Sequence, residues 1–317
     1  METETNNSLI YGCMGLGGGW KSTTLTAEDE KIAEKAIFAA LEIGITTFDH
    51  ADIYAYGKAE EVFGKVLKNH PDLRKRIIIQ SKTGIYLHQG PNNSNYYNLS
   101  KEYIINQVYS ILQRLQTEYL DVLLLHRPDS LMVATEIAET FDFLKTRGLV
   151  RNFGVSNMSV EQIKLIQHYM DEPLIANQLQ LSLGHSLMLN TGVSINTDMI
   201  AYDGGMHGML EYCQLNHMAI QAWSPLHKGF FTRNPNDLHE GVERETSNLL
   251  VRLAIKYGVR PSTIMLAWLF RIPCTIQPII GTTQPDRIRN YKDACTLQIS
   301  REDWYHLWIT ARGNSLP

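Results

Sequence analysis

The chain has 317 residues, of which 44% are hydrophobic and 20% are charged, and its formal net charge at pH 7 is −4. This length allows one large domain or two ordinary ones, and the composition is that of a globular protein with a sizeable core. Basic residues form no stripe and no apolar run approaches the roughly 20 residues of a membrane helix, so we expect neither nucleic acid nor a membrane as partner.

The first ten residues, METETNNSLI, are polar and acidic and show no signal-peptide pattern. The four cysteines at positions 13, 213, 274 and 295 are scattered and form no Cys-x-x-Cys pair. A disulfide framework or a zinc knuckle is therefore not indicated, and a reducing cytoplasm is the expected location.

Short apolar runs alternate with longer amphipathic segments along the chain. The predicted strands cover residues 10–16, 45–49, 76–81, 119–125, 150–156, 174–179, 219–223 and 275–280. Most are apolar throughout, as expected of strands covered on both faces. The predicted helices cover residues 26–44, 58–68, 101–117, 133–147, 159–170, 206–217, 244–257 and 286–294, with two additional helices over 261–270 and 301–311.

Eight strands that alternate with eight helices predict a closed (β/α)8 barrel, or TIM barrel, with additional helices; an open doubly wound sheet is the alternative. No linker rich in Pro, Gly or Ser divides the chain, so we predict a single domain over residues 1–317. The connections 83–100, 180–205 and 224–243 are long and each follows a strand. Such loops share the C-terminal face of a barrel, where active sites lie.

The segment GLGGGWKST at 15–23 resembles a phosphate-binding loop. A Walker motif needs Gly immediately before the Lys, and Trp20 stands there instead. The dinucleotide fingerprint Gly-x-Gly-x-x-Gly fails at the same residue. We interpret the segment as a glycine-rich turn that a flat ligand can approach closely, with Trp20 as a wall of the pocket.

Polar side chains stand where several predicted strands end. The second strand ends in Asp49, with Tyr54 in its loop, the third leads to Lys82 and the fourth to His126. The later strands lead to Ser156, Asn157, Gln178, Trp223 and the segment GTTQ at 281–284. A single polar residue at a strand end is usually a loop anchor, but on a barrel the first four would converge at one mouth.

These four groups fit the protonation of an oxygen that gains negative charge. Free tyrosine has a pKa of about 10, which is high for a proton donor at neutral pH. We expect the ammonium group of Lys82 to lower the pKa of Tyr54, and Asp49 to keep Lys82 protonated. His126 can donate a hydrogen bond to the same oxygen. Reduction of a carbonyl group by hydride creates such an alkoxide.

Several phrases together resemble the aldo-keto reductase superfamily. They are GITTFDHADIYAYGKAEEVFGKVL (44–67), IIIQSKTG (77–84), DVLLLHRPD (121–129), RNFGVSN (151–157) and AWSPL (222–226). FDHADIY and LLLHRPDSLM are most similar to its bacterial oxidoreductases. The resemblance implies a (β/α)8 barrel that binds NADPH in extended form without a Rossmann domain. It also implies NADPH-dependent, reversible reduction of a small aldehyde or ketone.

The resemblance assigns a role to each matching residue. Tyr54 is the implied general acid, assisted by Lys82 and Asp49, and His126 polarises the carbonyl group. The implied cofactor contacts are Ser156, Asn157, Gln178, Trp223, Ser224, Leu226, Gly229, Phe230, Gly281, Thr282, Thr283, Gln284, Arg287 and Asn290. The candidate substrate contacts are Trp20, Tyr56 and Tyr86.

Two positions depart from the family pattern. Trp223 stands where many members have Tyr, although it keeps an aromatic face for the nicotinamide. Gln284 is neutral where a cation is common. Arg287 can bind the 2′-phosphate through its planar guanidinium group, so we expect NADPH rather than NADH.

Two other functions fit part of the pattern. A metal-dependent barrel hydrolase could use His50, Asp52, Lys82 and His126, but a His-x-His pair is missing and Tyr54 would have no role, so no metal is predicted. A cofactor-binding regulatory or redox-sensing subunit with slow turnover would share the same fold. The presence of all four catalytic positions favours an enzyme.

Overall fold

The computed structural model describes residues 8–20, 24–88, 94–197 and 204–317. The strands in these residues are β1 Ile10–Gly12, β2 Thr47–Asp49, β3 Ile78–Thr83, β4 Ile85–Tyr86, β5 Tyr96–Tyr97, β6 Leu120–Leu125, β7 Val150–Ser156, β8 Ala176–Gln180, β9 Ala219–Trp223 and β10 Ile276–Ile280. Eight of them form a closed barrel in the order β1-β2-β3-β6-β7-β8-β9-β10. The predicted TIM barrel is confirmed and the open sheet is excluded.

All of the predicted helices are present among the described residues. They are α1 Ala27–Glu42, α2 Lys58–Asn69, α3 Lys101–Leu115, α4 Ala134–Thr146, α5 Val160–Gln167, α6 Leu187–Val193, α7 Met209–Leu215, α8 Val242–Tyr257, α9 Pro261–Phe270, α10 Pro285–Arg289 and α11 Arg301–Arg312. None of these helices is long and apolar enough to span a bilayer.

The structure differs from the prediction mainly at the strand ends and in the long connections. The first strand stops at Gly12 and continues as a single 3-10 turn, Cys13–Gly15, instead of reaching residue 16. Connection 83–100 contains the antiparallel hairpin β4-β5, and connection 180–205 contains α6. Connection 224–243 contains two 3-10 turns. Residues 89–93 and 198–203 of these connections lie outside the described residues.

Helix α1 begins and ends as its sequence predicts. The hydroxyl group of Thr26 accepts a hydrogen bond from the backbone N–H of Asp29, and the Asp29 carboxylate accepts one from the backbone N–H of Thr26. This reciprocal capping box satisfies two of the donors that every helix start leaves unpaired. Gly44, two residues beyond the helix, has φ 85°, a conformation that glycine adopts without strain.

Contacts between residues divide the chain into two compact units. The first unit comprises Ile10–Gln178 and Gly281–Ile288, and the second comprises Leu179–Ile280, Arg289–Pro317 and the described residues before Ile10. In the first unit, the buried ring of Phe48 contacts the rings of Tyr11 and Phe63, with centroids 5.9 and 5.3 Å away. The single domain over residues 1–317 stays a prediction.

In the second unit, α11 packs against α9 through two tryptophans. The rings of Trp268 and Trp304 stack with centroids 5.1 Å apart. Each indole N–H donates to the backbone carbonyl group of the other residue, at 3.1 and 2.9 Å. Because each buried polar N–H has a partner, these large side chains contribute apolar contact area without an unsatisfied donor.

In the first unit, helices α2 and α3 lie close together at Gly64. A Cβ atom on Gly64 would lie 2.2 Å from the carbonyl oxygen of Arg114 and 2.9 Å from the carbonyl carbon of Leu115. The obstacles are backbone atoms, which cannot rotate aside. Glycine at this position therefore sets the distance between the two helices.

We expect Gly64→Ala to lower the free energy of unfolding by about 3 kcal/mol, because overpacking forces the helix backbones apart. Urea unfolding measures this loss. The control is Gly192→Ala in α6, where no atom lies within 4 Å of the added Cβ. The control should change stability by less than about 1 kcal/mol, in the stabilising direction. Equal effects of the two substitutions would contradict the packing account.

Candidate active site

A fully buried ion pair joins the ends of strands β2 and β3. Asp49 is the last residue of β2, and Lys82 lies on the neighbouring parallel strand β3. The Lys82 Nζ donates to both carboxylate oxygens of Asp49 and to the backbone carbonyl oxygen of His50, each at 2.7 Å. The side chains are 0% and 2% exposed. Burial of both charges is tolerated because each is paired and hydrogen-bonded.

Two glutamine side chains complete the environment of Asp49. Its Oδ1 accepts hydrogen bonds from Gln80 Nε2 at 2.6 Å and from Gln178 Nε2 at 3.0 Å. Gln80 is not among the residues predicted for the site. Gln80 lies two positions before Lys82 on the same strand. Because alternate residues of a strand share one face, this spacing could have predicted that Gln80 faces the same side as Lys82. Gln178, expected at the cofactor, contacts Asp49 here.

Tyr54 lies beside this ion pair. The Lys82 Nζ is 4.9 Å from the centroid of the Tyr54 ring. The ring of His126, which follows β6, packs edge-on to Tyr54 with centroids 6.1 Å apart. Tyr54 and His126 are both half-buried, so part of each side chain stays accessible. The structure therefore brings the four predicted catalytic side chains together in the first unit.

Two opposing effects act on the pKa of Tyr54. Burial raises this pKa and the Lys82 charge lowers it, as expected, but the net pKa lies above its ordinary value. Desolvation of the phenolate therefore outweighs the attraction of the ammonium. Tyr54 keeps its proton at neutral pH, so its hydroxyl group can donate a hydrogen bond.

Lys82 is held in its charged form and His126 in its neutral form. Burial acts to lower the pKa of Lys82, but Asp49 and Tyr54 together favour the ammonium form and the net pKa is raised. Burial, with the charges of Lys82 and Arg127, holds the pKa of His126 well below its usual range. The imidazole is therefore neutral at neutral pH and can donate one hydrogen bond.

Residues at the end of β7 continue the same hydrogen-bond network. The hydroxyl group of Ser156 donates to the backbone carbonyl oxygen of Gln178 at 3.0 Å and accepts from Asn157 Nδ2 at 2.7 Å. Asn157 has the left-handed φ of 57° and also donates to the carbonyl oxygen of His126, at 3.4 Å. Three predicted cofactor contacts are thus adjacent to the predicted catalytic residues.

The glycine-rich turn lies against the segment after β10 within the first unit. A Cβ atom on Gly15 would lie 3.2 Å from the side chain of Thr283 and 3.3 Å from the carbonyl oxygen of Gly281. Tyr11 donates to the carbonyl oxygen of Thr282, whose hydroxyl group accepts from the backbone N–H of Gln284. Glycine at position 15 thus allows the turn to pack closely against this segment. Arg287 is exposed on the short helix α10.

The remaining predicted cofactor contacts belong to the second unit. Trp223 ends β9, and the chain then turns sharply, with positive φ at Ser224, Lys228 and Gly229. Leu226 lies within this turn, and the guanidinium group of Arg233 lies 4.4 Å from the centroid of Phe230. Asn290 uses its backbone carbonyl oxygen to accept a hydrogen bond from Thr263.

The predicted substrate contacts form two aromatic pairs in the first unit. Trp20 and Tyr56 pack edge to face with centroids 5.3 Å apart. Tyr86, on the hairpin that follows β3, stacks on Tyr96 with centroids 4.7 Å apart. All four rings are more than one-third exposed.

The metal-dependent alternative requires a set of metal ligands. Among the residues that the structure describes, no group of three or more His, Cys, Asp or Glu side chains could hold a metal ion. Lys82 pairs with Asp49, and Asp52 accepts a hydrogen bond from Thr83. His50 contributes its backbone carbonyl oxygen to Lys82, while its buried ring packs against Phe63.

Sequence comparisons identify proteins that are similar to this chain. The model of the Aldo/keto reductase family matches residues 8–308. The uncharacterised oxidoreductase YcsN of Bacillus subtilis is 34% identical over 284 residues, which are 87% of each chain. A 6-dehydroglucose reductase of Agrobacterium fabrum is 34% identical over 311 residues, which are 97% of this chain and 95% of the relative.

Solved structures share the same fold. The glycerol dehydrogenase AKR11B4 of Gluconobacter oxydans aligns with a TM-score of 0.80 and 21% identity, over 98% of this chain and 93% of its own. An aldo-keto reductase of Klebsiella pneumoniae in complex with NADPH aligns with a TM-score of 0.71 and 24% identity, over 95% and 89% of the two chains.

Proposed function

Because the chain belongs to the aldo/keto reductase family and is an oxidoreductase, we propose that it reduces the carbonyl group of an aldehyde or ketone with NADPH. The observation that carries the proposal is the position of Tyr54. Its ring lies 4.9 Å from a buried ammonium group and beside a neutral imidazole. A proton donor, a cation and a hydrogen-bond donor so arranged suit a reaction that creates an alkoxide.

In this proposal NADPH supplies the hydride, and residues of the first unit supply the other groups. Ser156, Asn157 and Gln178 are the proposed contacts of the nicotinamide end, and the exposed Arg287 is the proposed contact of the 2′-phosphate. The turn from Trp223 to Phe230 stays a predicted cofactor contact. The solved aldo-keto reductases of Klebsiella pneumoniae in complex with NADPH or NADP support this choice of cofactor.

Each protein group in the mechanism has a distinct task. His126 donates a hydrogen bond to the carbonyl oxygen and holds it near Tyr54. Tyr54 transfers its phenolic proton to that oxygen as negative charge develops there. The ammonium group of Lys82 stabilises the phenolate that remains, and Asp49 keeps Lys82 charged and oriented. Asp49 and Lys82 thus act on the substrate only through Tyr54.

Two named relatives and the exposed aromatic residues support a proposal for the substrate class. A relative that is 34% identical over 97% of this chain is named a 6-dehydroglucose reductase, and a second relative of that name is 32% identical. We therefore propose a sugar-derived carbonyl compound as substrate. Trp20, Tyr56 and Tyr86 would contact it through their aromatic faces.

Replacement of Tyr54 by Phe tests the mechanism. Tyr54→Phe keeps the ring but removes the proton, so we expect turnover to fall by about 100-fold or more while the dissociation constant for NADPH stays unchanged. Steady-state kinetics and a fluorescence titration measure the two quantities. The control is Tyr109→Phe, a ring that is 49% exposed on α3, which should retain wild-type turnover. Full turnover in Tyr54→Phe would refute the assigned role.

A substrate panel tests the substrate class. We expect kcat/KM for sugar aldehydes to exceed that for simple aliphatic aldehydes by about tenfold or more, because additional polar groups of the substrate must be recognised. The decrease of NADPH absorbance measures the rates. Preference for simple aldehydes would contradict the sugar proposal. NADPH binding without turnover of any carbonyl compound would instead support the regulatory alternative.

A further inference from the structure

Three successive glycines of the glycine-rich turn have left-handed backbone conformations. Gly17, Gly18 and Gly19 have φ values of 77°, 72° and 72°. A run of three such residues favours glycine, because a Cβ atom makes the left-handed region costly. The run directly precedes Trp20, a proposed substrate contact whose ring is 43% exposed. The conformation of this turn therefore decides where the Trp20 ring lies.

The first two glycines pack against the starts of helices α2 and α1. A Cβ atom on Gly17 would lie 2.8 Å from the backbone carbonyl group of Lys58, the first residue of α2. A Cβ atom on Gly18 would lie 2.9 Å from Oδ1 of Asp29, which belongs to the capping box of α1. A Cβ atom on Gly19 would meet no atom within 4 Å. Packing thus fixes the first two glycines and leaves the third in open space.

The side chain of Lys58 holds the third glycine instead. Its Nζ donates to the backbone carbonyl oxygen of Gly19 at 2.9 Å. Lys58 is only 4% exposed, which is unusual for lysine and is tolerated where the Nζ is hydrogen-bonded. Lys58 therefore directs a buried donor to the residue immediately before Trp20.

The Trp20 ring in turn packs against the segment that carries Tyr54. Trp20 and Tyr56 meet edge to face with centroids 5.3 Å apart. Tyr56 belongs to the 3-10 turn that begins at Tyr54, the proposed general acid. The hydrogen bond from Lys58 thus acts on an aromatic pair that is next to Tyr54 in the chain.

The backbone of Lys58 has a separate task. Its N–H donates to the carbonyl oxygens of Tyr54 and Ala55 and closes their 3-10 turn. A substitution of the Lys58 side chain keeps this backbone donor and removes only the bond to Gly19. The two contributions of Lys58 can therefore be separated by experiment.

We propose that Lys58 is a positioning residue for substrate recognition: it holds Gly19 and so keeps the Trp20 ring against Tyr56, where the pair contacts the part of the substrate beyond its carbonyl group. Lys58 does not touch the reacting atoms. The role in recognition rests on the proposed function, whereas the effect of Lys58 on the position of Trp20 does not.

Steady-state kinetics with two carbonyl compounds test the role in recognition. Lys58→Met keeps a long side chain but removes the donor. We expect KM for 6-dehydroglucose, a sugar aldehyde, to rise about tenfold at unchanged kcat, because contacts beyond the reacting carbon are lost in the ground state and the transition state alike. KM for propanal, which has few atoms beyond its carbonyl group, should stay unchanged. The control is Lys68→Met, exposed on the same helix, which should alter neither KM.

A double-mutant cycle tests whether Lys58 acts through Trp20. Trp20→Ala should raise KM for 6-dehydroglucose at least as much as Lys58→Met does. Addition of Lys58→Met to Trp20→Ala should then have no further effect, because the ring that Lys58 positions is already absent. Additive effects of the two substitutions would overturn the proposal.

The position of Trp20 can be followed without turnover. The chain has five tryptophans, so labelling with 5-fluorotryptophan gives five ¹⁹F NMR signals, and loss of one signal in Trp20→Phe assigns that residue. The Trp20 signal should shift in Lys58→Met because the ring moves relative to Tyr56. The signal of Trp268, buried in the second unit, should stay. An unshifted Trp20 signal would overturn the proposal.

Substitutions at Gly19 provide a matched pair that tests the same turn if Lys58→Met does not fold. Asparagine tolerates the left-handed conformation, whereas the β-branched valine strongly disfavours it. Since a Cβ atom at this position meets no neighbour within 4 Å, the two variants differ in backbone preference. Gly19→Val should raise KM for 6-dehydroglucose as Lys58→Met does, and Gly19→Asn should stay close to the wild type.

The outcomes separate this inference from the function on which it rests. A shifted Trp20 signal with unchanged KM would make Lys58 structural only and would overturn its role in recognition. An equal rise of KM for both aldehydes, a fall in kcat alone, or equal KM values in Gly19→Val and Gly19→Asn would also overturn it. A wild-type protein that turns over no carbonyl compound would instead refute the proposed reductase function.

Discussion

The buried ion pair between Asp49 and Lys82 is the interaction on which the rest of the site depends. Burial of either charge without a partner would be costly. Each charge is stabilised by the other and by hydrogen bonds with its neighbours. The pair can form because the parallel strands β2 and β3 pair Asp49 with Gln80, and Lys82 lies two residues further along β3 on the same face. Tyr54 and His126 are then arranged around a fixed positive charge.

The groups around this fixed charge have different protonation states. Desolvation keeps the proton on Tyr54 and keeps His126 neutral, so both are hydrogen-bond donors at neutral pH. Lys82 makes the phenol of Tyr54 more acidic than burial alone would leave it, although the net pKa stays above its ordinary value. In the proposed reaction, the same charge lowers the free energy of the phenolate that forms when Tyr54 gives up its proton. In such a site the charge is preorganised for the product of proton transfer.

Much of this arrangement could be predicted from the sequence. The alternation of strands and helices predicted the barrel, and the capping residues Thr26 and Asp29 predicted the start of α1. The positions of Asp49, Lys82 and His126 at strand ends predicted that they would meet, because the C-terminal ends of barrel strands share one face.

The rest depended on distances and burial that residue types do not encode. Gln80 looked like one polar residue in an apolar strand, although its place two positions before Lys82 puts it on the same face. The net pKa of Tyr54 is a balance between desolvation and the Lys82 charge, and only the structure gives the size of each.

The titration of Tyr54 in the wild type and in Lys82→Met is the most direct test of this account. Selective ¹³C labelling of tyrosine ring carbons, with assignment by loss of the signal in Tyr54→Phe, follows the phenol by NMR. The account predicts a higher pKa for Tyr54 in Lys82→Met than in the wild type, while exposed Tyr109 titrates alike in both. An equal or lower pKa in Lys82→Met would show that Lys82 does not stabilise the phenolate.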